Sequence, residues 1–91
     1  FTAYHTPGHN PGHLVYHHEA ASAAFLGDLV WSEPDGLTTP FWGDSYDMGQ
    51  LRESVNALAD RIPAFELAAM GHGDPLVTGG YDGFRDLAGR L

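Results

Sequence analysis

The residues best suited to chemistry lie near the start of the chain, where five of its six histidines fall between positions 5 and 18. Four of them recur every fourth residue: His5, His9, His13 and His17. On a helix this spacing would put the four imidazoles on one face, but the intervening pairs Pro7-Gly8 and Pro11-Gly12 oppose a helix. Pro-Gly pairs favour tight turns, because proline sets φ and glycine accepts a positive φ. The spacing therefore predicts a loop of two consecutive turns, whose imidazoles either bind a metal ion or only bond to backbone and water.

Two other segments carry residue types that bind metal ions. Asp28 directly follows an apolar predicted strand, and His72 follows another between two glycines. Together with His9, these side chains each lie just beyond the end of a predicted strand or in the loop that it feeds. Neighbouring strands would bring them to one rim of a sheet, where a carboxylate between two imidazoles can bind one ion or bridge two.

Three segments, HTPGHNPGH, FLGDLVW and MGHGDP, occur in this order and resemble the C-terminal half of a metallo-β-lactamase-fold hydrolase. The resemblance covers essentially the whole chain. It implies that His9 binds a first metal ion, that Asp28 bridges two ions as the catalytic carboxylate, and that His72 binds the second. It also implies two divalent ions, zinc with manganese or iron as alternatives. A metal-bound hydroxide would then attack a small-molecule substrate, which could be an ester, thioester, lactone, lactam or phosphoester.

The sequence departs from this family in one large respect, because the first metal-binding element, a His-x-His-x-Asp-His run, is absent. Each ion would receive only two protein ligands, fewer than a catalytic site uses. We therefore expect the chain alone to be inactive and to need the N-terminal half of such a domain, or another copy of itself. Association would use an uncovered sheet face, with Phe1, Val15 and Phe25 as candidate contacts. Two alternatives remain open, a non-catalytic acidic module that binds metal or a protein partner, and a structural half-sandwich that dimerises.

The other histidines are expected to play supporting roles. His5 and His13 would support the loop or orient a metal ligand from behind. His17 and His18 are adjacent on a predicted strand, so their side chains should point to opposite faces of the sheet.

Composition excludes several kinds of partner. Twelve acidic residues against four basic ones give a net charge of −8, which disfavours nucleic acid and anionic membranes. The excess of acid is typical either of a salt-adapted protein or of an ordinary acidic one. Since the chain has no cysteine, any metal ion must be bound through nitrogen and oxygen. No stretch resembles a membrane span or a signal peptide, so we expect a cytoplasmic protein.

The pattern of apolar residues predicts one α/β (α+β) domain over residues 1–91. Strands are predicted at 1–4, 14–19, 23–26 and 65–70. Residues 29–46 are poorly periodic and predict a long loop, whose aromatic residues line a pocket or pack on the sheet: Trp31, Phe41 and Trp42. The expected architecture is a mixed sheet with helices on one face, half of an αβ/βα sandwich.

Two helices complete this prediction. Asp47 and Gln50 form an acidic capping box at the start of the first. An apolar stripe follows, and Pro63 ends the helix: Leu51, Val55, Leu58 and Ile62. A terminal amphipathic helix is predicted from Tyr81, Phe84, Leu87 and Leu91.

Overall fold

The computed structural model describes residues 1–34, 36–40 and 47–91. Its elements in chain order are β1 (Thr2–His5), β2 (Leu14–His18), β3 (Ala23–Gly27), β4 (Trp31–Glu33), β5 (Gly36–Thr38), α1 (Met48–Arg61), β6 (Leu67–Met70) and α2 (Gly80–Arg90). The main sheet has the strand order β1-β2-β3-β6. The first two pairs are antiparallel and the β3–β6 pair is parallel. The predicted mixed sheet is therefore confirmed.

Helix α1 begins as the sequence predicts. The Asp47 side chain accepts a hydrogen bond from the Gln50 N–H at 3.0 Å, which satisfies one of the unpaired donors of the first turn. The predicted stripe is fully or almost fully buried, with Leu51, Val55 and Leu58 at 0% exposure. In α2, Phe84 is buried in the same core.

Both helices cover one face of the main sheet. Alternation along β2 directs Val15 and His17 into the core, while Leu14 and Tyr16 point away from it. On that outer face, Leu14, Tyr16 and Phe25 remain 39%, 42% and 40% exposed. We call this surface the open face. Helices on one face were predicted, but the use of Val15 for association was wrong, because this side chain is 0% exposed beneath the helices.

The predicted long loop at 29–46 is wrong in its first part. Strands β4 and β5 form an antiparallel hairpin in which Trp31 pairs with Thr38 and Ser32 with Leu37. A Pro-Asp-Gly sequence at 34–36 is a turn signal that would have indicated this hairpin. Phe41 and Trp42 lie outside the described residues.

Neither helix in the described part of the chain is both long enough and apolar enough to cross a membrane. The cytoplasmic location stays a prediction.

Candidate metal centre

The histidine loop joins β1 to β2 and is closed at its base by Thr6 and His13. The Thr6 N–H donates to the His13 carbonyl at 2.9 Å. Within the loop, the His13 N–H reaches the Asn10 carbonyl at 3.4 Å, which forms the second predicted turn. The prediction of positive φ at both glycines is half right, because Gly8 has φ +143° whereas Gly12 does not enter that region.

Helix α1 holds the first half of this loop. The Asp47 N–H donates to the Gly8 carbonyl at 2.7 Å. In a complete capping box, this N–H would instead donate to the side chain of Gln50. The Ser54 hydroxyl donates to the Pro7 carbonyl at 2.6 Å. Sequence reasoning missed Ser54, because a serine within an apolar helical stripe gives no sign of its partner 47 residues away.

His9 and Asp28 come together as predicted for residues at one rim of the sheet. The His9 Nε2 lies 3.4 Å from the Asp28 Oδ2, and the two side chains are 23% and 38% exposed. The other ring nitrogen of His9, Nδ1, is buried and has no hydrogen-bond partner among the described residues. Gly71 lies so close to the carboxylate that a Cβ there would overlap Oδ1 of Asp28.

His13 lies directly behind this pair. Its Nε2 accepts a hydrogen bond from the Asp28 N–H at 3.0 Å, and its Nδ1 lies 2.9 Å from the Thr6 hydroxyl. Burial, followed by the neighbouring imidazole of His9, lowers the pKa of His13, while the Asp28 carboxylate acts in the opposite direction. The imidazole is thus kept neutral, as its acceptor role at Nε2 requires.

His72 does not join the pair. Its ring packs against Trp31 at a centroid distance of 4.5 Å, and its carbonyl accepts from the Ser32 N–H at 3.0 Å. Over residues 1–34, 36–40 and 47–91, no three histidine or carboxylate side chains are close enough together to hold one ion. The assignment of His9, Asp28 and His72 as a common ligand set stays a prediction.

The remaining histidines take part in structure, as expected. His5 Nε2 bonds to the Pro11 carbonyl at 2.7 Å across the loop. His17 is buried on the helix face with its Nε2 3.3 Å from the Ala64 carbonyl. His18 lies on the other face and accepts from the backbone of Ala21, so the predicted split of this histidine pair between two faces is confirmed.

The pair of His9 and Asp28 fits one side of a divalent-metal site. Imidazole nitrogen and carboxylate oxygen are ligands of zinc, manganese and iron. The buried His9 Nδ1 has no hydrogen-bond partner within the described residues, and the Asp28 carboxylate, although in contact with the His9 ring, is 38% exposed. Two donors do not complete a centre, so further ligands must come from elsewhere.

A mixed sheet with helices on one face, and a histidine–carboxylate pair at its rim, make the described residues an α+β domain. The family model described as "Metallo-beta-lactamase superfamily" matches residues 1–72. The chain belongs to the metallo-beta-lactamase superfamily, which is a superfamily of hydrolases.

Individual relatives agree with this membership. The chain is 32% identical over 74 residues to the "Probable metallo-hydrolase YybB" of Bacillus subtilis (strain 168), a match that covers 81% of this chain and 33% of that protein. The metallo-beta-lactamase family protein TTHA1429 from Thermus thermophilus superposes with a TM-score of 0.66 at 22% identity, over 97% of this chain and 29% of that one. TTHA1623, solved in a di-iron-bound form, gives a TM-score of 0.65 at 25% identity, over 100% of this chain and 42% of that one.

The chain thus spans about a third of the length of the curated relative that it matches. The fold of the described residues is that of the superfamily. That residues 1–91 form the C-terminal half of such a domain stays a prediction.

Proposed function

We propose that this chain is the part of a metal-dependent hydrolase that supplies His9 and Asp28 to a divalent metal centre. The observation that supports this best is the contact of 3.4 Å between the imidazole Nε2 and the carboxylate Oδ2 at the rim of the sheet. Membership of a hydrolase superfamily agrees with it. The substrate would be an ester, thioester, lactone, lactam or phosphoester.

The residues of this chain would bind and orient the ion. The neutral imidazole of His9 and the carboxylate of Asp28 would be its ligands, and His13 holds the backbone of Asp28 from behind. A bound divalent ion supplies a Lewis acid that polarises the substrate's carbonyl or phosphoryl oxygen. His72 would join as a ligand after leaving its ring contact with Trp31. Zinc is the proposed metal, with manganese or iron as alternatives.

The rest of the centre would come from a partner that covers the open face. Apolar side chains there remain about two-fifths exposed, which is typical of a surface that another layer covers. The partner that we propose is the N-terminal half of a metallo-β-lactamase domain or another copy of this chain.

Metal binding and turnover test the proposal separately. In a Co²⁺ titration followed by absorption, the unaltered chain should bind the ion, and His9→Gln and Asp28→Asn should each weaken binding at least about tenfold. Asp60→Asn, which changes an exposed carboxylate on α1, is the matched control and should not alter it. Equal binding by all four proteins would contradict a site at His9 and Asp28.

Turnover should be absent when the chain is assayed alone. Ester, thioester and lactam substrates are supplied with Zn²⁺ or Mn²⁺, and no meaningful hydrolysis is expected because two protein ligands per ion are too few. Hydrolysis by the isolated chain that disappears in Asp28→Asn would refute the need for a partner.

One observation favours a second candidate, a non-catalytic module that binds a protein or a metal ion. The predicted ligands do not form a group of three within the described residues, while the open face offers an apolar contact surface. Under this alternative, the open face should bind a partner and the complex should remain inactive with every substrate class and metal.

A further inference from the structure

We infer that His13 is a positioning residue that fixes the distance between His9 and Asp28 by linking the base of the histidine loop to the Asp28 backbone. This inference rests on the proposed function, since the positioned groups are its metal ligands. His13 itself would not touch the ion.

Strand pairing puts His13 between Thr6, at the end of β1, and Asp28, just after β3. Strands β1 and β2 pair so that His5 lies opposite Leu14, and one further step places Thr6 opposite His13. Strands β2 and β3 pair with Tyr16 opposite Phe25, and beyond the end of β3 the Asp28 N–H meets the His13 ring. Thr6, His13 and Asp28 therefore form one hydrogen-bonded row at the rim of the sheet.

Both ring nitrogens of His13 are used along this row. The Asp28 N–H can only donate, so Nε2 must be an acceptor without a proton. The ring proton then lies on Nδ1 and is donated to the Thr6 hydroxyl at 2.9 Å. That hydroxyl can in turn donate a hydrogen bond to the His13 carbonyl at 3.5 Å, so each donor in the row has an acceptor.

The packing around the ring supports a fixed position. Thr6 and His13 are 1% and 9% exposed, so few alternative bonds to water exist for them. Gly27, at φ +57°, leaves the space that the ring occupies, because a Cβ there would lie 2.8 Å from the His13 Nε2. The Gly27 carbonyl also accepts from the Gly71 N–H at 2.8 Å. The turn that carries Asp28 is thus held on one side by His13 and on the other by the loop after β6.

Two substitutions by amide side chains distinguish the bond from His13 to Thr6 from the bond between His13 and Asp28. In His13→Gln, the side-chain amide reaches the former position of Nε2 and its oxygen can accept from the Asp28 N–H. In His13→Asn, the shorter amide reaches only the position of Nδ1, so the bond to Thr6 is kept and the bond to Asp28 is lost. Both replace an aromatic ring with a smaller amide, so losses of packing are similar in kind.

The first readout is hydrogen exchange of the Asp28 amide, measured by NMR on the metal-free chain. Protection should remain near the unaltered level in His13→Gln and fall at least about tenfold in His13→Asn, after normalisation to the core amides of α1. His5→Asn, at the end of β1 beside the same loop, is the control and should leave the protection of the Asp28 amide unchanged. Equal protection in both His13 variants would overturn the inference, whatever their melting temperatures.

The second readout is Co²⁺ affinity. His13→Asn should bind about 10- to 100-fold more weakly than the unaltered chain, the range expected when a partner of a metal ligand is lost, and His13→Gln should recover most of that loss. Equal loss in both variants would show that the ring only fills space. If the unaltered chain binds no Co²⁺, the proposed function fails, but the exchange of the Asp28 amide still decides whether His13 holds that backbone.

Discussion

Replacing Gly8 by alanine should separate the histidine loop from helix α1. A Cβ at this position would lie 2.5 Å from both the backbone nitrogen and the Cβ of Leu51. These distances are well below van der Waals contact, and Leu51 is anchored in the core at 0% exposure. Relief of the overlap must therefore move the backbone of the loop or of the helix, which weakens the bond from Asp47 to the Gly8 carbonyl.

The expected cost has two parts. An alanine at φ +143° costs about 1 to 3 kcal/mol in backbone strain, and overpacking against Leu51 adds about 1 to 3 kcal/mol. The sum, about 2 to 6 kcal/mol, is a large share of the roughly 5 to 15 kcal/mol by which such domains are stable. With an m-value of about 1.5 kcal/mol per M, a loss of about 3 kcal/mol lowers the urea midpoint by about 2 M.

Two other glycines provide matched controls in the same urea assay. Gly36 has φ +128° and no atom within 4 Å of its hypothetical Cβ, so Gly36→Ala should show the strain alone. Gly89 in α2 has neither positive φ nor a neighbour within 4 Å, so Gly89→Ala should stabilise by up to about 1 kcal/mol. If Gly8→Ala costs no more than Gly36→Ala, the close packing of the histidine loop on α1 is not a feature of the folded protein.

Four further predictions concern stability and association. Ser54→Ala leaves the Pro7 carbonyl without its partner and should cost about 1 to 3 kcal/mol in urea unfolding, whereas a neutral result would mean that water replaces the hydroxyl. Burial lowers the pKa of His13 below 6.5, so between the lowered value and 6.5 the unfolded chain binds more protons than the folded one. Stability should therefore be fully present above about pH 6.5 and fall as the solution is acidified through this window, and His13→Gln should remove that slope from urea titrations at each pH. The melting temperature should rise from low to molar potassium chloride, because salt screens the repulsion among twelve carboxylates beyond about 10 Å at 0.1 M, and a flat response would argue against salt adaptation. Light scattering at high salt should report a dimer or larger species that Phe25→Ser shifts toward the monomer, whereas a monomeric unaltered chain would show that the open face needs no cover.

Local sequence signals predicted the elements that depend on local physics. The N-cap at Asp47 and the stripe from Leu51 to Ile62 involve only neighbouring residues, and both are found as expected. Strands β2 and β3 were placed by their composition and the short turn between them. The β4–β5 hairpin was missed because Trp31 and Leu37 do not alternate regularly with polar residues, so only the turn sequence carried the signal.

The candidate site was predictable where it follows from the ends of strands. His9 and Asp28 were placed at one rim because their strands were expected to be neighbours, and they are in contact. A supporting role for His13 was also predicted, but its bond to the Asp28 backbone crosses a bulge in β3 and has no local sequence signal. The bond from Ser54 to the loop depends on how α1 lies across the sheet, and no local pattern determines that placement.

The three predicted ligands are held by different parts of the fold, which explains why only two of them are in contact. His9 and Asp28 are connected through the antiparallel strands β1 to β3, where register and the ring of His13 act over a few residues. His72 follows β6, which pairs with β3 at the edge of the main sheet as far as the structure describes it, and its loop is bonded to the hairpin through the Ser32 N–H. A shift of the hairpin would therefore move His72 while leaving the pair of His9 and Asp28 in place. The contact between His9 and Asp28 is held by this chain's own bonds on β1 to β3, and under the proposed function a metal ion or a covering partner would have to set the position of His72.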